Sequence, residues 1–440
     1  MSRGPGRVLA GRFLQFWLIQ LCAQVGAKVA LLFLPLLAIR GYGVSPAVLG
    51  FLNALQYFPV LAVALLFGAA FDRWNRRTCF VAAYLGNSAA LLLVPLYGDG
   101  RHRVLLLVGV CTAMGCLVAF ADMCAQTVPP DLVPADQLVA ANGRLEFVYS
   151  LCLVGAPGAA GLLYDRFGSG PGLTVVSALC CAAGVLSLGL RLSRRAGPEP
   201  GARPRVWAAT VSGMRFLLRH PVLRVTTVQA GLFNFLEQAV MTVYLLLAVR
   251  LWGLSPGSVG MTITVGGAGT VLGAVVAAGR GGRMSTVRAL VLGMGLASLT
   301  PMLLVFAGGS RPILITMASA TFMIYGFGLT LYNVHAVSLR QMLTPPERLG
   351  SVSAAYRFLA FGPIGLGALL GGWAGGFLGL RASLTVFVAL LAVAFAVFAV
   401  SASRLRATIA AVLPEGRGTG PDGAANDSAE PVRTSPANPS

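Results

Sequence analysis

The sequence predicts an all-α membrane protein in which twelve transmembrane helices form two pseudo-symmetric six-helix bundles. Three observations carry that prediction. Apolar residues make up 56% of the 440 residues and charged residues only 11%, with a mean hydropathy of +0.79, whereas a soluble domain carries about 25% charge. A chain so poor in charge cannot cover a surface facing water. Its apolar residues fall into twelve runs long enough to cross a bilayer, and one pattern occurs twice about 210 residues apart. Soluble enzymes, nucleic-acid binders and secreted disulfide scaffolds are set aside by composition alone.

A helix crossing a hydrocarbon core of about 30 Å needs about 20 apolar residues. Runs of that kind cover 13–39, 47–70, 78–97, 104–128, 145–164 and 171–190, then 222–250, 257–279, 287–307, 312–336, 354–378 and 383–403. Backbone groups in lipid must pair within their own segment, and the runs are too long and continuous for barrel strands, so each is a helix. The first run follows Arg3, Arg7 and Arg12 as a signal peptide would. It is too long for one and lacks a small-residue cleavage pattern, so it is expected to stay in the protein.

The basic residues set the orientation. With the amino terminus inside, the cytoplasmic segments hold 23 of the 33 basic residues and the outside loops seven: Arg40, Arg101, Arg103, Arg166, Arg250, Arg311 and Arg381. Positive residues accumulate on the cytoplasmic side of membrane proteins. The net charge of +19 is therefore read as topology, with both termini cytoplasmic, and not as a nucleic-acid-binding face. The eight cysteines lie within or beside spans and form no disulfide or metal-ligand spacing.

The domain organisation follows. Residues 1–190 form the first bundle and 222–405 the second. Residues 191–221 are a polar, basic linker in which Trp207, Val211, Met214 and Leu218 recur at helical spacing, the pattern of a short amphipathic helix lying on a membrane surface. Residues 406–440, rich in Pro, Gly, Ser, Asp and Asn towards their end, are expected to be a disordered cytoplasmic tail.

The two bundles are copies. Leu37 through Gly50 matches Leu247 through Gly260, with seven of fourteen positions identical, and Leu132 through Leu138 recurs as Leu343 through Leu349. Two matches near one offset, each joining spans of the same orientation, define a parallel repeat. Such halves form transporters whose site lies near the bilayer midplane between them.

The turn after the second span reads Gly68-Ala69-Ala70-Phe71-Asp72-Arg73-Trp74-Asn75-Arg76-Arg77. Gly68 permits close helix contact, Arg73, Arg76 and Arg77 suit anionic headgroups, and Asp72 is a lone acid among them. This stretch resembles the G-x-x-x-D-R-x-x-R-R signature of the major facilitator superfamily at every defined position. The resemblance implies that fold, and implies that Asp72 faces the start of the eleventh span as an ion–dipole latch. The equivalent turn in the second half, Gly279-Arg280-Gly281-Gly282-Arg283, lacks the acid. The segment Gly213 to Arg224 and the pairing of Asp131-Leu132-Val133-Pro134 with Ala141-Asn142 resemble the drug, macrolide and siderophore exporters of the superfamily. The antiporter motif G-P-x-x-G-G survives only as Ala156-Pro157-Gly158-Ala159-Ala160-Gly161, where Pro157 and Gly161 suit a kinked, tightly packed helix.

An ionised side chain at the bilayer centre costs on the order of 3 kcal/mol, so each such residue needs a role. Lys28, the only lysine, follows Gln20 and Gln24 at intervals of four in the first span, on one helical face. Glu237 lies at similar depth in the seventh span, one turn after Asn234. Spans 1, 4, 7 and 10 line the cavity in the family that the chain resembles. Lys28 and Glu237 are therefore expected to attract one another across it, with a permanent structural ion pair as the alternative. Asp122 in the fourth span is read as a mouth-lining acid. Tyr325, Tyr332 and Asn333 in the tenth are read as residues that orient an amphipathic ligand.

The expected function is proton-driven efflux of a hydrophobic or amphipathic small molecule by alternating access. The alternatives are an uptake permease of the same fold and a non-transporting membrane scaffold or sensor. No catalytic constellation, cofactor motif or metal-ligand set is present, so no enzyme is expected. The implied partners are a small-molecule substrate, protons and membrane lipids, not nucleic acid, and the chain is expected to be a multi-pass monomer of the cell membrane.

Overall fold

The protein's structure is a computed structural model that describes residues 11–67, 75–98, 100, 102–134, 137–192, 206–279 and 284–408. Among them every regular element is helical. The first half comprises α1 (Arg12–Leu36), α2 (Pro46–Phe67), α3 (Arg76–Tyr97), α4 (Arg103–Ala125), α5 (Leu138–Phe167) and α6 (Ser169–Leu188). The linker carries α7 (Val206–Arg219). The second half comprises α8 (Pro221–Leu246), α9 (Pro256–Ala278), α10 (Thr286–Leu299), α11 (Arg311–Leu343), α12 (Leu349–Phe361), α13 (Ile364–Phe377) and α14 (Leu380–Arg404). Eleven spans among the described residues are long and apolar enough to cross a membrane, with α12 and α13 forming one of them. The 22-residue α2 lies between the first two and completes the predicted twelve. The chain is a multi-pass membrane protein.

The internal repeat is reproduced down to single hydrogen bonds. α1 ends in a π-helical turn, Leu37–Gly41, and α8 in another, Leu247–Leu251. In the first copy Tyr42 N donates to Leu37 O at 3.1 Å and Val44 N to Ala38 O at 3.1 Å. In the second, Trp252 N donates to Leu247 O at 3.0 Å and Leu254 N to Ala248 O at 2.9 Å. Gly43 and Gly253 then take φ of +61° and +60°, a region open to glycine at no steric cost. Ser45-Pro46 and Ser255-Pro256 start the next helices, with proline where no backbone donor is needed.

Several spans differ from their apolar limits. α5 begins at Leu138 and α11 runs on to Leu343. Polar residues such as Asn142 and Arg340 continue these helices beyond the lipid, where an apolar count stops. The eleventh span is two helices, interrupted at Gly362-Pro363, because a proline inside a helix removes a donor and crowds the preceding turn. Asn234 of α8 donates its amide to the Ala360 carbonyl at this break, at 2.8 Å.

The linker helix α7 packs one face on α12 and leaves part of its apolar face uncovered by protein. Val211 and Leu218 are exposed, whereas Thr210, Gly213 and Leu217 are buried. A Cβ on Gly213 would lie 2.3 Å from the Ser351 carbonyl of α12. The small residue brings the two backbones together, which an apolar count does not register. Residues 193–205, the 280–283 turn, the tail from 409, and Gly68, Asp72 and Arg73 of the signature lie outside the described residues.

Among the described residues, the extensive contacts between the halves join α2 to α13, α5 to α9, α2 to α8, and one π-helical turn to the other. They are concentrated towards the face carrying the two π-helical turns. The helices there touch backbone to backbone. A Cβ on Gly161 would lie 2.2 Å from Pro256 O, and one on Gly372 would lie 2.4 Å from Pro46 O. These are the same contact made twice, by glycines 211 residues apart.

Candidate functional site

Three polar residues of α1 meet three different partners along one face. Gln20 accepts from the Tyr84 hydroxyl of α3 at 2.8 Å. Gln24 donates to Asp122 Oδ1 of α4 at 3.0 Å. One turn further on, Lys28 Nζ lies over the ring of Tyr149 of α5, 4.8 Å from its centroid, an attraction between a cation and the negative ring face. The field of Lys28 also reaches Asp122 and Cys152. The first half thus holds one cation and one acid within mutual electrostatic range, with Gln24 bridging towards the acid.

The second half builds a separate site. Glu237 of α8 hydrogen-bonds with the Tyr325 hydroxyl of α11, which donates to the carboxylate. The Tyr325 ring stacks on Phe233, with centroids 6.3 Å apart and an interplanar angle of 15°. Glu237 and Tyr325 line a small cleft with Val240, Met241, Thr321 and Phe322. Tyr244 closes one end, its hydroxyl 2.7 Å from Thr262 Oγ1 and its ring edge-on to Phe322. Tyr57 of α2 lies within electrostatic range of both Glu237 and Tyr149, so polar side chains of the two halves come near one another here.

Lys28 and Glu237, read as attracting one another across the cavity, form no salt bridge with each other in this structure, so the permanent ion pair of the alternative reading is not formed. Each charge has its own neighbour, an aromatic face for the lysine and a hydroxyl donor for the carboxylate. Tyr149 and Tyr57 are not marked by sequence pattern. A tyrosine in an apolar span reads equally as packing, and only the fold shows which ones share a space with a charge.

The remaining candidates occupy varied positions. Asp122 is half-buried and accepts from Gln24. Asn234 braces the break in the eleventh span. Tyr332 is buried, donates to the Thr226 carbonyl of α8 at 3.2 Å, and meets Phe398 edge-on. It ties α11 to α8 and α14 and does not present itself to a ligand. Asn333 beside it is exposed.

Two signature residues are described. Arg77 is exposed, as a headgroup anchor requires. Arg76 instead donates to the Thr127 carbonyl at 2.9 Å and pairs with Asp131. It bolts the start of α3 to the segment after α4, because a carboxylate and a free carbonyl at the end of α4 offer its planar fork better partners than lipid does. No group of three or more histidine, cysteine or acidic residues able to hold a metal occurs among the described residues.

Comparison with known proteins gives a consistent result. The family described as Major Facilitator Superfamily matches residues 16–365. The multidrug efflux pump Tap of Mycobacterium tuberculosis and of Mycobacterium bovis is 26% identical over 368 residues, covering 79% of this chain and 83% of the pump. A bacterial homologue of the human lysosomal transporter Spinster, solved inward-facing and unoccupied, aligns with a TM-score of 0.69 at 17% identity, over 92% of this chain and 99% of that one. A point mutant of the nucleoside transporter NupG aligns with a TM-score of 0.70 at 12% identity, over 89% and 100%. A bacterial homologue of the iron transporter ferroportin, inward-facing, aligns with a TM-score of 0.69 at 16% identity, over 91% and 100%.

Proposed function

The chain belongs to the major facilitator superfamily and is a transporter of a small-molecule substrate, not an enzyme; from that premise we propose that it exports a hydrophobic or amphipathic compound in exchange for protons. The observation that carries the proposal is that Lys28 and Glu237 sit on opposite halves and form no salt bridge with each other, Lys28 lying over Tyr149 with Asp122 in range and Glu237 beside Tyr325. A structural ion pair would have joined them. A carboxylate kept without a cationic partner in lipid costs a few kcal/mol and is free to take up either a proton or a cationic group of the substrate.

The cycle follows from elementary electrostatics. A proton taken up by Glu237 cancels the acid that lines the second-half cleft, so a bound amphipath loses its attraction there and leaves. Deprotonation restores the carboxylate, which again accepts from Tyr325 and attracts a cationic or polarised group. Tyr57, Tyr149 and Tyr325 offer flat faces on which an apolar body stacks. Lys28 with Asp122 holds the opposite wall, where Gln24 links the two helices. Apolar pockets with few polar groups suit ligands of this kind.

Orientation enters the same reading. With both termini cytoplasmic in the cell membrane, the packed face is the exterior one and the site opens inward, the state from which an exporter loads. The likeness to the Tap efflux pump supports export. The likeness to a nucleoside transporter shows how far the fold is from fixing direction.

The test is dye efflux from cells that lack their own exporters. Wild type should clear a preloaded amphipathic dye such as Hoechst 33342, and an uncoupler should stop it. Glu237→Gln should retain the dye with or without the uncoupler. Clearance by Glu237→Gln that still needs the proton gradient would remove Glu237 from the coupling role.

A further inference from the structure

The contact between α5 and α9 holds an acid that the site does not use. Asp165, at the end of α5, accepts from the backbone N–H of Gly257 in the first turn of α9, with Oδ2 at 2.9 Å. The donors of that turn are each accounted for. Pro256 has none, Ser258 N donates to Ser255 Oγ at 3.2 Å, and Val259 N to Ser255 O at 3.0 Å. Gly257 alone is satisfied from the other half of the molecule. A carboxylate at this end of a helix also meets the positive pole of its dipole.

The approach is built for closeness. A Cβ on Gly161 would lie 2.2 Å from Pro256 O, one on Gly257 2.4 Å from Asp165 Oδ2, and one on Gly260 2.2 Å from Pro157 O. Gly158 N, beside Pro157, donates across the same seam to Thr264 Oγ1 at 2.8 Å. Neither side tolerates a side chain while the seam is shut.

The repeat supplies an internal control. Gly161 and Gly372 make the same contact in the two halves, and Gly168 and Gly379 follow at the same interval with φ of +75° and +84°. In this register Asp165 corresponds to Gly376, which has open space around it. Gly257 corresponds to Ala47, which is exposed. The seam between α2 and α13 therefore has the glycines without the acid. In the sequence, Gly161-Leu162-Leu163-Tyr164-Asp165-Arg166 also repeats the G-x-x-x-D-R spacing of Gly68 to Arg73.

We propose that Asp165 is a positioning residue for alternating access, a carboxylate latch that holds the exterior seam closed through the first turn of α9 and releases when the halves rock apart. The proposal rests on the transport reading only in requiring two alternating states. It does not depend on substrate, direction or proton coupling. The latch is single because only one seam carries the acid.

Hydrogen–deuterium exchange on the full-length protein in lipid nanodiscs tests this without substrate or gradient. Asp165→Ala should raise exchange in segments 154–165 and 256–267 and lower it at the opposite ends of α4 and α11. The shift in the open population should be about two- to fivefold, the range for a carboxylate at a helix start. Asp165→Asn keeps an accepting oxygen but no charge and should fall between, which preserves the test if the alanine variant folds poorly. Gly376→Asp, which puts an acid opposite Ala47, should shift the population the other way. Unchanged exchange in Asp165→Ala with a wild-type melting temperature would overturn the latch, as would a rise spread equally over both faces. Either result would leave the transport reading standing, since that reading is judged by dye efflux.

Discussion

The two halves share a backbone and differ in chemistry. The π-helical turns at 37–41 and 247–251, the positive-φ glycines after them, and the Ser-Pro helix starts coincide bond for bond. So do the glycine seams at Gly161 and Gly372. Arg40 and Arg250 repeat with the turns, but four other charges do not. Lys28 corresponds to Gln238, Glu237 to Ala27, Asp165 to Gly376, and the signature acid Asp72 to a turn without one. Close packing constrains both copies equally, because a duplicated fold must shut twice. A coupling charge is needed only once, and a second copy would add desolvation without adding function.

The largest test of that contrast removes the charge that only the second half carries. Glu237→Gln should lower dye efflux about tenfold or more, given what an intramembrane charge costs to maintain without a role. Exchanging the two charges, Lys28→Glu with Glu237→Lys, sharpens the point. The account expects the swap to transport poorly, because Tyr325 would then face an ammonium. Full transport by the swapped protein would mean that position carries no proton role.

The next test addresses what the halves share. Gly161→Leu and Gly372→Leu each force a side chain between touching backbones, and overpacking of this kind costs about 1–3 kcal/mol. Both should lower the melting temperature in detergent by similar amounts and raise exchange at the exterior face. A large effect at one glycine and none at the other would break the structural equivalence of the seams.

Much of this was legible in the sequence, and the parts that were not share a cause. Twelve apolar runs and the 210-residue repeat give the helices, the matching halves and the membrane, since each depends on composition along the chain. Contacts between distant helices do not. Gly161 reads as close packing without showing that its partner lies in the other half. Tyr149 and Tyr57 look like any span tyrosine. Asp165, next to Arg166 in an outside loop, reads as a solvated charge. Arg76 reads as a lipid anchor because its partner Asp131 lies 55 residues away.

Smaller effects separate structural polar groups from functional ones. Asn234→Ala should destabilise by about 1 kcal/mol, the worth of one hydrogen bond, while leaving efflux per folded molecule unchanged. A loss of efflux with normal stability would return Asn234 to the site. Smallest is a pH effect at the start of α8. Partial burial pushes His220 below its ordinary value of 6.5, and its neutral Nδ1 accepts from Leu223 N at 3.4 Å. The unfolded chain takes up the proton first, so the cap's contribution is complete above about pH 6.5 and is lost as the pH falls through the depressed value beneath it. The melting temperature should fall slightly on acidification in wild type and less in His220→Asn. α1, whose N-cap is Gly11 with no side-chain hydrogen bond, offers no matching effect.

Inverted membrane vesicles test the central claim most directly. An acid-inside gradient imposed on vesicles containing the wild-type protein should drive Hoechst 33342 inward, and an uncoupler should abolish the uptake, whereas Glu237→Gln vesicles should take up none above background. Gradient-driven uptake of equal rate by Glu237→Gln, or wild-type uptake that survives the uncoupler, would contradict the account.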